Sequence, residues 1–237
     1  VFTRIVPSSF GNFEQEDFYF TSRNASDIWS FAQPLVGINT AFNEGAPSIS
    51  GDGMTIIFTA CASPRDGFGD RQGKGSCDLF ESVYSPNTKT WSLGENLGAP
   101  NAGAWESQPT LSADGNFLVF VSARHSRNRG SDLFGAMRGE DGTWGKPFIL
   151  PGKINTPFEE ESPFLHPDGK TLYFSSNGHP GLGGLDIFVS RKSEEGLWGT
   201  PVNLGYPLNT NRNENILLVQ PGGEKAIFAT NRSTLNG

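Results

Sequence analysis

The chain has 237 residues and a formal net charge of -7 at pH 7, with a pI near 5.0. It shows no clustered basic patch, so DNA and RNA are excluded as expected partners. The 30 glycines, 16 prolines and 12% aromatic residues indicate a turn-rich all-β protein with enough apolar side chains for a core. It contains no run of eighteen apolar residues, so we expect a soluble segment with no direct membrane insertion.

A sequence repeat of short predicted strands recurs along the chain at a period of about fifty-four residues, and apolar residues show no helical periodicity. In each copy an Asp-apolar-aromatic step is followed by a Trp twelve or thirteen residues later. The Asp residues are Asp17, Asp78, Asp132 and Asp186, and the tryptophans are Trp29, Trp91, Trp144 and Trp198. A repeat of this size predicts a β-propeller, in which each copy is one four-stranded blade.

The repeat spans residues 1–237 and therefore predicts a single propeller domain. The predicted pieces are a first blade fragment at 1–37, blades at 44–98, 106–151 and 160–205, and a last fragment at 214–231. Closing four blades would make two second-type strands, 1–6 and 225–230, compete for one place. We therefore predict five blades with the first and last incomplete in this chain, and a four-bladed ring is the alternative.

The blade at 160–205 shows the predicted strands most clearly. The inner strand is predicted at 161–167 and the second at 171–176, joined by an Asp168-Gly169 hairpin turn. The third strand is predicted at 185–190, after a glycine-rich loop, and the outer strand at 198–204. Glycine suits the second turn position because it reaches positive φ at little cost.

Three segments of this blade carry a resemblance to a known family. They are Glu-Ser-Pro-Phe-Leu-His-Pro-Asp-Gly-Lys-Thr-Leu-Tyr-Phe-Ser-Ser-Asn at 161–177, Gly-Gly-Leu-Asp-Ile-Phe at 183–188 and Trp-Gly-Thr-Pro-Val-Asn-Leu-Gly at 198–205, with Ile-Asn-Thr at 154–156 and 38–40. They resemble the WD40-like (PD40) propeller repeats related to those of TolB. More narrowly, the chain is similar to the propeller of Bacteroidetes proteins that join TPR, propeller and OmpA-like domains, the group that includes PorE of the type IX secretion system. The resemblance implies a periplasmic, outer-membrane-associated scaffold and no catalytic residues.

Residues that recur in every copy are expected to serve the blade. We assign the four Asp to backbone hydrogen bonds in neighbouring loops and the four Trp to packing between blades. Four acids also recur in register at the start of the inner strands: Glu44, Glu106, Glu160 and Glu214. A structural role is the first interpretation of these acids. The alternative is an acidic collar at one mouth of the channel, suited to a cation or a basic peptide.

The loop between Cys61 and Cys77 is longer than its counterparts at 123–131 and 177–185. The only two cysteines bracket it, and we predict a disulfide that stabilises the chain by about 3 kcal/mol in the loop-entropy account. Such a bond fits an oxidising compartment. Two buried free thiols are the alternative. No metal site is expected, because no second cysteine pair or nearby histidine accompanies them.

Strand direction predicts that the connections between blades and the loops between second and third strands share one face. The candidates for partner binding on that face are Trp105, Arg65, Phe68, Arg71, Arg124, Arg127 and Arg129, and the loop at 7–16 adds Phe10 and Phe13. Trp and Arg are favoured at interface hot spots, and loops on a rigid scaffold commonly bind partners. Trp105 has local packing over the blade as its alternative.

The function predicted from these patterns is a non-enzymatic interaction scaffold. We expect it in the periplasm, tethered to the outer membrane through parts outside this chain, with partners among the proteins of a secretion complex and a peptide ligand at the loop-bearing face. No cofactor is expected. A glycan-binding or glycoside-hydrolysing propeller is one alternative, although the acids near the axis recur and the three histidines form no nucleophile-base pattern. A passive spacer between anchoring domains is the other.

Overall fold

We describe a computed structural model of the chain that covers residues 1–7, 14–63, 65–125 and 130–232. Over these ranges the chain folds into β-strands joined by turns and loops, and no helix is present. The described ranges therefore hold no helix that is long and apolar enough to cross a membrane. Arg127 and Arg129, and Phe10 and Phe13, lie outside the described residues.

The strands form five antiparallel sheets, which follow one another along the chain. The first and second sheets contain β1 (Phe2–Pro7), β2 (Glu14–Phe20) and β3 (Gln33–Pro34), then β4 (Glu44–Ile49), β5 (Thr55–Cys61), β6 (Cys77–Ser85), β7 (Thr90–Trp91) and β8 (Glu95–Asn96). The third, fourth and fifth contain β9 (Glu106–Leu111), β10 (Phe117–Ser122), β11 (Asp132–Met137) and β12 (Phe148–Ile149), then β13 (Glu160–Leu165), β14 (Thr171–Ser176), β15 (Asp186–Arg191) and β16 (Val202–Asn203), and finally β17 (Glu214–Val219) and β18 (Ala226–Thr230).

The all-β propeller prediction is confirmed. Four sheets have three or more strands and form four successive blades, which matches the four-bladed alternative, while β17 and β18 form a further two-stranded sheet. Within the described ranges, no strand of the first sheet contacts a strand of the fifth. The outer strand of the fourth sheet is shorter than the predicted 198–204, because only Val202–Asn203 pairs in the ladder and Trp198 makes an isolated bridge to Lys192.

The core lies between neighbouring sheets rather than at a single centre. Along β5, Ile56 and Phe58 pack with residues of the first sheet, whereas Ile57 packs with residues of the third. The second strands β5, β10 and β14 are therefore buried on both faces and read as nearly continuous apolar runs, whereas β1 and β18 are largely exposed. Trp144 and Trp198 are buried against the preceding sheet, as predicted, but Trp29 is 58% exposed because no sheet precedes its own among the described residues.

One residue of each inner strand adopts a left-handed conformation although it is not glycine. These residues are Ala46, Gln108, Ser162 and Ile216, with φ between 49° and 55°. Each coincides with a shift in the pairing register between the inner and second strands. Such a bulge re-aims the side chains of the strand, so it controls where the neighbouring glutamate points.

The strand order gives each blade two different ends. Glu44 pairs with Ala60, and Ala60 pairs with Asp78, so the start of the inner strand lies beside the loop between the second and third strands. We call this end of the blades the loop face. The Asp-Gly hairpins lie at the opposite end, where Gly53, Gly115 and Gly169 have positive φ as predicted.

Candidate functional site

The four recurring glutamates at the loop face are fully buried inside their blades. Glu160 shows the pattern, because it accepts hydrogen bonds from the Thr156 N–H at 2.8 Å, the Thr156 hydroxyl at 2.7 Å and the Ser176 hydroxyl at 2.7 Å. Each carboxylate ties an inter-blade connection to its own blade. Because Glu44, Glu106, Glu160 and Glu214 are buried and hydrogen-bonded, the structural interpretation of these acids is favoured over the alternative of an acidic collar.

A basic side chain lies over an aromatic ring beside each buried glutamate. In three blades the ring belongs to a stacked Phe pair whose centroids lie 6.0 Å apart. The basic residues are Arg71 over Phe58 and Phe80, Arg124 over Phe120 and Phe134, His179 against Phe174 and Phe188, and Arg232 over Phe228. For the three arginines, cation–π attraction and the nearby carboxylate direct the charge toward the blade, where it serves the structure. His179 makes ring–ring contacts at the equivalent place.

Each basic group also reaches a carbonyl of the connection that precedes its blade. Arg71 donates from Nη2 to the Ile38 carbonyl at 2.8 Å, and His179 donates from Nε2 to the Ile154 carbonyl at 2.9 Å. Arg124 donates to the Pro100 carbonyl. The glutamate and the basic residue together clamp the connection onto the blade.

The second blade receives its basic residue by a different route. In the third blade, Arg124 follows two residues after Ser122, which bonds to Glu106 at 2.7 Å. The position equivalent to Ser122 in the second blade is Ala60, and Arg71 instead arrives from the inserted loop, ten residues beyond Cys61. Its Nη1 lies 2.7 Å from Glu44 Oε1, and both side chains are at most 1% exposed.

Burial raises the pKa of Glu44, although Arg71 and Thr40 oppose this by stabilising the charged form. Burial likewise raises the pKa of Glu160 against the hydrogen bonds from Thr156 and Ser176. Glu214 differs, because hydrogen bonds from Thr210 and Thr230 outweigh the effect of burial and lower its pKa. The pKa shifts of Glu44, Glu160 and Glu214 are therefore set by burial and by contacts with neighbouring residues.

A recurring asparagine pairs with the backbone of the third strand, a role that the sequence patterns did not predict. Asn101 accepts from the Leu79 N–H and donates to the Leu79 carbonyl, both at 2.8 Å, so its amide pairs with the third strand like a neighbouring strand. Asn39, Asn155 and Asn209 do the same on Phe18, Leu133 and Ile187. The repeated Ile-Asn-Thr at 38–40 and 154–156 was the available signal. These asparagines therefore fix the inter-blade connections to the third strands.

The recurring aspartates of the second and fourth blades support the loops as predicted. Asp78 is buried and accepts from the Gly75 N–H at 3.1 Å and from Asn96 Nδ2 at 2.9 Å. Asp186 is also buried and accepts from the Leu182 N–H and from Asn203 Nδ2. These carboxylates therefore belong to the scaffold.

The predicted disulfide between Cys61 and Cys77 is present. The two residues are directly opposite each other at the ends of β5 and β6, with Cα atoms 3.9 Å apart. Beyond the disulfide, backbone hydrogen bonds join Ser63 and Gly67 in both directions, at 2.7 and 3.1 Å. The disulfide therefore anchors the inserted loop at its base, and the paired Ser63 and Gly67 add order within the loop itself.

Some of the predicted partner-binding residues are held by contacts within the protein, and others are exposed to solvent. Contrary to the prediction, Arg71 and Arg124 are not free to contact a partner. Their guanidinium groups are held inside the blades by Glu44 and Glu106. Phe68 is also mainly internal, with its ring 5.7 Å from that of Phe80.

Trp105 is partly buried and packs against the core between the third and fourth sheets. This contact favours the packing alternative stated for it. Arg65 is exposed on the inserted loop and remains a predicted contact residue.

A cavity of about 950 Å³ opens on the loop face between the first and second sheets. Its walls come from the start of β2, the connection 40–43 and the inserted loop, including Arg65, Asp66 and Asp70. No group of three or more His, Cys, Asp or Glu suited to a metal ion occurs among the described residues. The recurring Glu, Asp and Asn residues have structural roles, whereas this cavity is lined in part by the inserted loop, whose extra length only one blade has.

No protein-family model matches the chain, and no curated protein matches it. Solved structures do match. TolB from Acinetobacter baumannii aligns with a TM-score of 0.57 and 12% identity, over 99% of this chain and 48% of that protein. A putative TolB from Agrobacterium tumefaciens gives a TM-score of 0.54 and 14% identity, over 96% of this chain and 69% of that protein.

A thermostable family-43 glycoside hydrolase gives a TM-score of 0.55 and 14% identity, over 91% of this chain and 76% of that protein. The chain spans about half the length of the Acinetobacter protein. The fold is thus that of TolB-type propellers and is also shared with a hydrolase propeller, and at these identities the likeness concerns the fold alone.

Proposed function

We propose that this propeller is a non-enzymatic protein-interaction module that binds its partner through the loop face. The observation that carries the proposal is the inserted loop, which the disulfide and Arg71 anchor while Arg65, Asp66 and Asp70 remain exposed beside the cavity. A rigid scaffold that presents an exposed loop is a common arrangement for binding.

We place the module in the periplasm, tethered to the outer membrane through parts outside this chain, in a secretion complex of the type IX class. A disulfide at the base of an inserted loop favours an oxidising compartment. The resemblance of the repeats to propellers that adjoin TPR and OmpA-like domains supports the secretion role. TolB-type folds are consistent with this assignment.

Glycoside hydrolysis is the competing function, and the family-43 fold match is the reason to keep it. A glycosidase needs two carboxyl groups that converge on one sugar. The recurring acids Glu106 and Glu160 are instead fully buried and hydrogen-bonded inside separate blades. If the chain released reducing sugar from a polysaccharide panel and lost that activity in Glu106→Gln, the scaffold proposal would be wrong.

The direct test is capture of partners by the full-length protein in its native envelope, followed by crosslinking and mass spectrometry. An Arg65→Glu and Asp70→Lys double variant should lose specific partners, because it reverses exposed charges on the loop face. Glu140→Lys, on an exposed turn at the opposite end, is the matched control and should retain them. Identical capture by the parent and both variants would contradict the proposal and favour the passive spacer.

A further inference from the structure

The cavity between the first and second sheets has walls that are fixed in place. The Phe42 ring lies directly against Gly69, where an added Cβ would come within 2.2 Å of its Cε2 atom. Phe68 packs in the same way on Gly73, and Arg71 is held by Glu44. A site that is already ordered loses little conformational entropy when a ligand binds.

Two buried polar atoms in the cavity lining have no hydrogen-bond partner within the described ranges. Gln15 is 7% exposed, and its Nε2 donates to Asp17 Oδ1 at 2.8 Å and to the Thr40 carbonyl at 2.9 Å, but its Oε1 accepts nothing. Arg71 is 6% exposed, and its Nε has no acceptor. Buried polar atoms in native proteins are almost always paired, so these two indicate a place where a polar ligand group completes the site.

The charges around the cavity favour a positively charged ligand. Glu14, Asp66 and Asp70 are exposed in the lining, whereas Arg65 is the exposed cation there. Arg71 adds no free charge, because it is paired with Glu44. The lining therefore presents an excess of hydrogen-bond acceptors, which suits a group with several N–H donors.

We propose that this cavity binds a Lys or Arg side chain of an extended peptide segment, a proposal that rests on the interaction role given above. The ammonium or guanidinium group meets Asp66, Asp70 and Glu14, and the apolar stem lies along Phe42 and Phe68. In an extended segment the N–H and C=O of one residue point to the same side, and there they pair with the unpaired acceptor of Gln15 and the unpaired donor of Arg71. A neutral glycan would leave the excess negative charge without a partner.

The test is an NMR titration of the ¹⁵N-labelled chain with acetyl-Gly-Arg-Gly-amide. The expected result is saturable shifts in the Gln15 side-chain amide and in residues 65–70. The isosteric citrulline peptide, which lacks the charge, should bind at least about fivefold more weakly. Equal binding of the two peptides, no saturable shift at millimolar peptide, or shifts confined to another surface would overturn the proposal.

Variants locate the charge effect within the cavity. Asp66→Asn combined with Asp70→Asn should weaken the arginine peptide by about five- to tenfold, while Glu140→Gln changes its affinity less than twofold. Unfolding temperatures show whether the variants remain folded, and the comparison of arginine and citrulline on the parent chain decides even if they do not. Tighter binding of tri-N-acetylglucosamine in the same cavity would also overturn the proposal. If peptide binding fails while envelope capture still depends on Arg65 and Asp70, only this inference is lost.

Discussion

The loop between β5 and β6 and the loop between β14 and β15 place a basic group at equivalent points by different means. The shorter loop supplies His179 three residues after Ser176, and the imidazole contacts both rings of its Phe pair. The longer loop supplies Arg71 ten residues after Cys61 and places it over the corresponding pair. Both loops therefore complete the same clamp on a buried glutamate.

The two loops differ in the residues that do not take part in the clamp. Both loops keep exposed residues, but those of the shorter loop, at 177 and 180–184, are uncharged. The longer loop instead exposes the charged residues Arg65, Asp66 and Asp70 beside a cavity. Residues that recur across blades thus serve stability, and the surplus of one loop is available for binding. Two arginines of a single loop, Arg71 and Arg65, illustrate this division.

The largest expected effect is the loss of the buried ion pair of the longer loop. Arg71→Met should lower the free energy of unfolding by about 3–5 kcal/mol, because it leaves the Glu44 carboxylate buried without its counter-charge. Arg65→Met is the matched control and should change it by less than about 0.5 kcal/mol. Chemical denaturation measures both, and equal effects of the two substitutions would remove the distinction between the arginines.

The disulfide should contribute nearly as much to the free energy of unfolding as the buried ion pair does. Replacing Cys61 and Cys77 by Ser opens a loop with a sequence separation of 16 and should cost about 3 kcal/mol. The cost should not add fully to that of Arg71→Met, since the disulfide holds the loop that delivers Arg71. A double-mutant cycle measures this coupling. Full additivity would show that the base of the loop and the clamp are independent.

Substitution of His179 in the shorter loop should lower the free energy of unfolding by a smaller amount. His179→Ala removes the hydrogen bond to the Ile154 carbonyl and two ring contacts from a partly buried site, so a loss of about 1–2 kcal/mol is expected. His179→Arg should restore most of it, because Arg124 and Arg232 act at the equivalent place in other blades. A loss as large as that of Arg71→Met would mean that the two loops clamp with equal strength.

The smallest effect is a pH dependence at Glu160. Its pKa in the folded chain is raised above the ordinary value of 4.5, so the folded state binds its proton more tightly than the unfolded state does. The free energy of unfolding contributed by this group should therefore fall as pH rises from 4.5 through the raised pKa. Glu160→Gln should remove this slope, whereas Glu140→Gln should not. The difference between the parent and Glu160→Gln curves isolates this group, and a difference of zero or of the opposite sign would contradict the assignment.

The repeat allowed much of the fold to be predicted, but not the direction of individual side chains. Periodicity located the blades, the Asp-Gly hairpins and the cysteine pair at opposing strand ends. It could not show that Ser162 and its counterparts take positive φ, or that the Glu160 carboxylate is buried against Thr156 and Ser176. The recurrence of the four acids alone therefore left the acidic collar open as an alternative.

The partner-binding residues were harder to predict because two of them are set by contacts distant in sequence. Arg71 meets Glu44 from a loop that is longer than its counterparts in the other blades, so the repeat gave no sign that it replaces Arg124. The structural role of Asn101 was missed because its amide imitates a strand edge, a contact that appears only when the connection is folded back onto β6. Arg65 was predicted from its loop and is exposed there.

Site-specific photo-crosslinking in the native envelope tests the central claim most directly. A benzoylphenylalanine residue is placed at Arg65, beside the cavity, or at Glu140, on the opposite end of the propeller. The account predicts discrete crosslinked protein partners from position 65 and none of them from position 140. The same products from both positions, or products from position 140 alone, would contradict the claim that the surplus of the inserted loop carries the interaction.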